Sequence, residues 1–133
     1  MDKLLKEHVW DRACSRSEYC LLPQWLTDSC HQIDHIIAQK HQGMTDSNNL
    51  ALACILCNSY KGPNIAGVDH ISGKIARLFN PRFDDWQDHF DWDDAVLMGL
   101  TDIGRATVTV LKINLEHRIR HRSTLIIEGV FPS

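Results

Sequence analysis

The stretch CHQIDHIIAQKHQGMTDSNNLALACILCNSYKG (residues 30–62) places an adjacent aspartate and histidine, two asparagines and a Cys-x-x-Cys within 33 residues. Residues 31–38 are rich in β-branched side chains and partly alternate, which predicts a strand. Turn-forming residues dominate 41–49 and predict a loop. The apolar residues 50–54 predict a second short strand, and 57–61 predict a helix that the following Gly-Pro pair ends. Two strands and a helix are therefore expected around a group of polar side chains.

The polar side chains in this stretch suit phosphodiester hydrolysis. That reaction needs a base for the water, a cation for the phosphate and stabilisation of the leaving oxygen. His35 is the candidate base, since an imidazole titrates near neutrality. Asp34 and Asn58 offer the oxygen ligands that Mg²⁺ prefers. Asn49 is expected to hold the loop through hydrogen bonds to its backbone.

Residues 33–62 resemble the core of the HNH endonuclease family, in the form with asparagine at the third position. The similarity continues through RSEYCLLP upstream and GPNIAGVD and SGKIARLFNPR downstream, and covers roughly residues 12–115. It implies a ββα-metal finger around one divalent cation. It also implies that His35 and Asn49 are the catalytic residues, with Asn49 organising the loop, and that Asp34 and Asn58 bind Mg²⁺ or Mn²⁺.

The expected fold class is α+β, a ββα-metal, treble-clef-like finger with three additions. Apolar residues four apart predict an N-terminal helix that ends near residues 14–16, and a turn within 65–82 predicts an extra hairpin. Apolar stripes over about 101–122 predict one long C-terminal helix. A chain of 133 residues is sufficient for one domain, so residues 1–133 are expected to form a single nuclease domain.

The cysteines predict a second, structural centre. The family resemblance implies two Cys-x-x-Cys knuckles that bind zinc. The second knuckle is intact at Cys54 and Cys57, whereas the first reads SEYC, with Ser17 in place of a cysteine and Cys20 retained. Zinc is left with three matching thiolates, which weakens the site. The alternatives for the fourth position are Cys14, Cys30, His31, water, or a site without zinc.

The charge distribution permits nucleic acid as a partner despite a net charge of −3. Six of the 17 acidic residues are aspartates in residues 84–94, so the remainder balances at 14 − 11 = +3. The aspartates are expected to form a solvated segment anchored by aromatic rings. Lys61, Arg82 and Arg105 are the candidate contacts to duplex or structured DNA.

The predicted function is a metal-dependent HNH endonuclease that hydrolyses DNA. The alternative is a non-catalytic module that binds nucleic acid or protein on the same scaffold, although such a module needs none of the four polar residues in particular. The sequence has no apolar signal core and no apolar run long enough to cross a bilayer, and its odd cysteine count suits a reducing compartment. A cytoplasmic protein without membrane contact is therefore expected. The hydrolytic and the zinc predictions concern different residues, so either prediction can fail without the other.

Overall fold

The 30–62 stretch folds into a hairpin followed by a helix. In the computed structural model, which describes residues 1–132, strand β1 (Gln32–His35) pairs antiparallel with β2 (Leu50–Ala53). Asp34 lies opposite Ala51, and His35 lies opposite Leu50. Helix α2 (Ile55–Lys61) follows directly, and its N-cap is the side chain of Cys54. The predicted ββα arrangement is confirmed.

Helix α1 (Lys3–Arg12) covers the outer side of this hairpin. The side chain of Asp2 caps its N-terminus by accepting a hydrogen bond from Leu4 N. Val9 is fully buried against Leu50 and Leu52, and all three residues belong to one small core. The helix ends slightly earlier than predicted, because Cys14 and Ser15 adopt positive φ angles of 53° and 56°.

The second half of the chain adds two hairpins and a helix that packs on both. Strands β3 (Ala66–Val68) and β4 (Ile75–Arg77) form the predicted extra hairpin. A short helix α3 (Trp86–His89) leads into β5 (Phe90–Asp93), which pairs with β6 (Val96–Gly99). Helix α4 (Asp102–Val110) contacts both hairpins. A Cβ on Gly104 would lie 2.1 Å from the carbonyl oxygen of His89, so only glycine permits this close packing.

The segment 84–94, expected to be solvated and anchored by aromatic rings, contains α3 and β5. The expected aromatic anchoring is present, because the ring centroids of Trp86 and Phe90 lie 5.2 Å apart and those of Trp86 and Trp92 lie 6.0 Å apart. Most of the aspartates are exposed, whereas Asp84 is half-buried and forms two hydrogen bonds with Arg77. Alternation of aspartates and aromatic residues is therefore the pattern of a half-buried strand here.

The expected single helix over 101–122 is two helices. Helix α4 ends at Val110, and α5 (Glu116–Ile127) begins after a break in which Lys112 has φ 48°. The side-chain amide of Asn114 bonds both backbone groups of Leu97, which draws the chain away from the helix axis. Arg118 Nη1 donates to Leu111 O and so satisfies a carbonyl at the end of α4. Among residues 1–132, no helix combines the length and the apolar character that crossing a membrane requires.

Candidate hydrolytic pocket and thiol cluster

Three of the four residues predicted for hydrolysis line one open pocket of about 380 Å³. Asp34 and His35 reach it from the end of β1, and Asn58 reaches it from the middle of α2. Neighbours on a regular strand point to opposite faces, but β1 ends at His35 and the chain bends at once. The pocket forms at this bend, and Lys40 and Pro63 complete its wall.

The Asp34 carboxylate is buried and already has two protein partners. Tyr19 Oη donates to Asp34 Oδ2 at 2.7 Å, and Lys61 Nζ lies 3.2 Å from Oδ1 and 3.1 Å from Oδ2. Burial raises the pKa of Asp34, whereas the charge of Lys61 and the bond from Tyr19 act in the opposite direction. An ionised carboxylate offers about four lone-pair sites, so these two partners do not use its full capacity.

The imidazole of His35 is held by Thr45. His35 Nε2 lies 2.8 Å from Thr45 Oγ1, and Nδ1 has no hydrogen bond to any residue of 1–132. Nδ1 is therefore the ring nitrogen that remains for a water molecule. The sequence does not indicate Thr45 as a partner of His35, because a threonine in a turn-rich loop has no distinguishing pattern.

Asn49 joins the two ends of the loop that carries Thr45. Its Oδ1 accepts from Ile37 N at 2.9 Å, and its Nδ2 donates to Ile37 O and Met44 O at 2.9 Å each. Gly43 packs against the same point, because a Cβ there would lie 1.7 Å from Ile37 O. Glycine is required here because a side chain would have no room, and not because of a positive φ. Asn49 does not line the pocket itself but supports the loop that does.

The three candidate DNA contacts all have partners within the chain. Lys61 is only 1% exposed, and besides Asp34 its ammonium donates to the carbonyls of His35 and Ile36. Arg82 pairs with Glu18. Arg105 makes two hydrogen bonds to Asp69, of 2.7 and 3.1 Å. Lys61 in particular does not face a phosphate here, because its three protons are used internally.

The three knuckle cysteines form a buried cluster, called here the thiol cluster. The Sγ atoms of Cys20, Cys54 and Cys57 lie within 4.8 Å of one another, and those of Cys20 and Cys54 are 3.6 Å apart. Four thiolates around zinc at 2.3 Å would stand about 3.8 Å apart, so three corners of such a site fit. Three buried cysteines at these distances can bind a metal such as zinc.

The damaged knuckle keeps the backbone geometry of the intact one. Cys57 N donates to Cys54 Sγ at 3.4 Å, and Cys20 N donates to Ser17 Oγ at the same distance. Ser17 is fully buried. The serine therefore preserves the turn but supplies a hydroxyl where a thiolate would stand.

None of the three protein ligands suggested for the fourth position belongs to the cluster among the residues described. Cys14 and Cys30 are exposed. His31 is buried, but its Nε2 lies 2.8 Å from Leu22 O and its ring stacks on Trp10. Cys14 thus lies outside the cluster here, at the surface, and its backbone is left-handed.

Arg118 reaches the cluster instead. Its Nη2 lies 3.1 Å from Cys57 Sγ and 3.7 Å from Cys54 Sγ, and the side chain is almost fully buried. Burial alone would lower the pKa of Arg118, but the cysteines outweigh it and raise that pKa. Hydrogen bonds with Cys54 and Cys57 lower the pKa of Cys20. A buried guanidinium favours a negative partner, which one free thiolate of the cluster or a divalent metal bound by three thiolates would supply.

Comparison with known protein families agrees with this geometry. Residues 14–64 match the family model described as HNH endonuclease, and the match contains the thiol cluster, the pocket and the loop between the strands. Residues 14–64 are therefore similar to an HNH endonuclease domain, as the sequence resemblance implied. Such a domain indicates a nuclease or nucleic-acid-binding function. No curated protein and no solved structure matches the chain significantly.

Proposed function

We propose that this protein is a metal-dependent endonuclease that hydrolyses phosphodiester bonds in DNA, with His35 as the general base. The observation that supports this most directly is the convergence of Asp34, His35 and Asn58 on one open pocket. A carboxylate, an amide and an imidazole in one pocket supply a cation site and a base side by side.

The proposed roles follow from the contacts of each side chain. Asp34 and Asn58 would hold a Mg²⁺ or Mn²⁺, which as a Lewis acid supplies charge stabilisation to the scissile phosphate and the leaving oxygen. His35 takes the proton from the attacking water at Nδ1, since Nε2 is held by Thr45. Asn49 keeps Thr45 in place by fixing the loop at both ends.

Lys40 is the proposed phosphate contact in place of Lys61. It is exposed, it lines the pocket beside His35, and the structure records no ion pair for it with any residue of 1–132. An exposed lysine positions a phosphate without selecting a sequence, so low sequence specificity is expected.

A non-catalytic binding module remains the second candidate, and one observation favours it. Lys61 places a positive charge against both oxygens of Asp34, and a cation in the pocket has to bind this carboxylate in the presence of that charge. If the pocket binds no divalent cation, the domain would bind nucleic acid or protein without cutting it.

A nicking assay on supercoiled plasmid distinguishes these candidates. We expect cleavage with Mg²⁺ or Mn²⁺, and a loss of about 10²- to 10⁴-fold in rate for His35→Ala, the range attributed to a general base. His41→Ala is the matched control, because His41 is an exposed histidine in the same loop. Folded protein that cuts no duplex, single-stranded or structured DNA with any divalent metal would contradict the proposal.

A further inference from the structure

Tyr19 lies between the thiol cluster and the pocket. It precedes Cys20 in the chain, so its backbone belongs to the damaged knuckle. Its side chain is fully buried, and its hydroxyl donates to Asp34 Oδ2 at 2.7 Å. Tyr19 therefore connects the two centres. Its peptide bond leads to Cys20 of the thiol cluster, and its hydroxyl bonds the carboxylate of the pocket.

The position of Tyr19 is fixed by neighbours from other elements. Trp86 Nε1 donates to Tyr19 O at 2.9 Å, and Phe79 meets the tyrosine ring edge to face at a centroid distance of 6.4 Å. The tyrosine side chain is therefore packed rather than loose, so its hydroxyl has a fixed place relative to the knuckle backbone.

The two partners of Asp34, Lys61 and Tyr19, are anchored to different parts of the chain. The ammonium of Lys61 also binds the carbonyls of His35 and Ile36, so it is anchored to β1 and its bend. The hydroxyl of Tyr19 donates to Asp34, and the backbone of Tyr19 belongs to the knuckle. Lys61 thus supplies charge, whereas Tyr19 fixes the direction of the carboxylate relative to the thiol cluster.

We infer that Tyr19 is a positioning residue that couples the two centres: it aims Asp34 for the divalent cation, and a disturbance of the thiol cluster weakens cation binding through it. The inference rests on the proposed function of the pocket as a cation site. Outer partners that orient a ligand typically change metal affinity by about 10- to 100-fold when they are removed.

The first experiment measures Mn²⁺ binding by calorimetry in Tyr19→Phe, which removes only the hydroxyl. We expect the Kd to rise about 10- to 100-fold. Tyr60→Phe is the matched control, because Tyr60 is the other tyrosine of the chain and its ring faces Lys112 rather than the pocket. In the nicking assay, Tyr19→Phe should need more Mn²⁺ for half-maximal rate but recover its maximal rate at saturating Mn²⁺. A general loss of structure would not recover in this way.

The second experiment tests the coupling with Cys54→Ser, in which the serine oxygen can still cap α2. Cys54→Ser should raise the Kd for Mn²⁺ in the wild-type background and add little in the Tyr19→Phe background. Equal effects in both backgrounds would show that the signal passes along α2, and would overturn the inference. If Cys54→Ser does not fold, Ser17→Cys disturbs the same cluster and must likewise shift the Kd more in the wild type.

Asp34→Ala separates failure of this inference from failure of the proposed function. If Asp34→Ala leaves Mn²⁺ binding unchanged, the pocket is not the cation site and the proposed function fails. If Asp34→Ala abolishes binding but Tyr19→Phe binds like the wild type, the inference about Tyr19 alone is wrong.

Discussion

Neighbouring positions of α2 serve centres of opposite character. Cys54 and Cys57, at the N-cap and in the first turn, belong to a buried cluster of soft sulfur atoms that the Arg118 guanidinium contacts. Asn58, a single residue later, lines an open pocket with hard oxygen atoms. A closed site with internal charge balance stabilises the fold, whereas an open site keeps room for substrate. Changes at the cluster should therefore lower stability, and changes at the pocket should lower activity or loosen the loop beside it.

The two centres are nevertheless connected in the fold. Tyr19 connects them on one side through its bond to Asp34, and α2 connects them on the other.

Arg118→Met should give the largest change in stability. The substitution keeps much of the apolar stem but removes the cation from the cluster and the donor from Leu111 O. Loss of a buried charged partner should reduce the free energy of unfolding by about 3 kcal/mol, measured by urea denaturation. Arg120→Met is the control, because Arg120 is exposed on the same helix and its pair with Glu116 should contribute about 0.5 kcal/mol or less. Similar losses in both variants would contradict a special role for the cluster charge.

Asn49→Ala should give a smaller and more local change. Three hydrogen bonds that close the loop are lost, and we expect about 2 kcal/mol of destabilisation. Hydrogen exchange should increase in the loop more than in β2, and nicking should slow because Thr45 is no longer held against His35. Asn48→Ala removes an exposed neighbour and should change neither quantity. An equal increase in hydrogen exchange across the whole chain would show that Asn49 supports the core rather than the loop.

Lowering the pH should destabilise a third region, the ion pair of Asp69 and Arg105, more than either centre. The bonds from Arg105 hold the pKa of Asp69 below its ordinary value. A carboxyl whose pKa is lowered by folding contributes stability above about pH 4 and loses it as the pH falls towards its folded pKa. Asp69→Asn should therefore be less stable than the wild type at pH 7, and urea denaturation should show the difference shrinking below pH 4. A difference that does not depend on pH would exclude this ion pair as its cause.

The sequence predicted the parts of the fold that depend on local pattern. The β-branched residues of 31–38, the loop formers of 41–49 and the apolar run after them gave the ββα unit, which the structure and the family match confirm. The identity of three pocket residues followed from their chemistry and from the family resemblance, and the structure places them together.

The parts that could not be predicted depend on contacts between residues far apart in sequence. Arg118 lies 61 residues from Cys57, and nothing around it marks a partner for sulfur. The break between α4 and α5 depends on Asn114 bonding Leu97, which outweighs a helical apolar pattern. Lys61 was expected at a phosphate because only its position after Asn58 was visible, whereas its burial against Asp34 is a property of the folded chain.

The reach of Arg82, Trp86 and Arg118 into the first half of the chain has a practical consequence for fragments. The family match ends at residue 64, but these three side chains bond Leu50 O, Tyr19 O and Cys57 Sγ from beyond it. A fragment cut at the ends of the match would retain every proposed catalytic residue and lose the half-buried Arg82 and the buried Arg118. We therefore expect the smallest piece that folds to extend beyond the end of the family match.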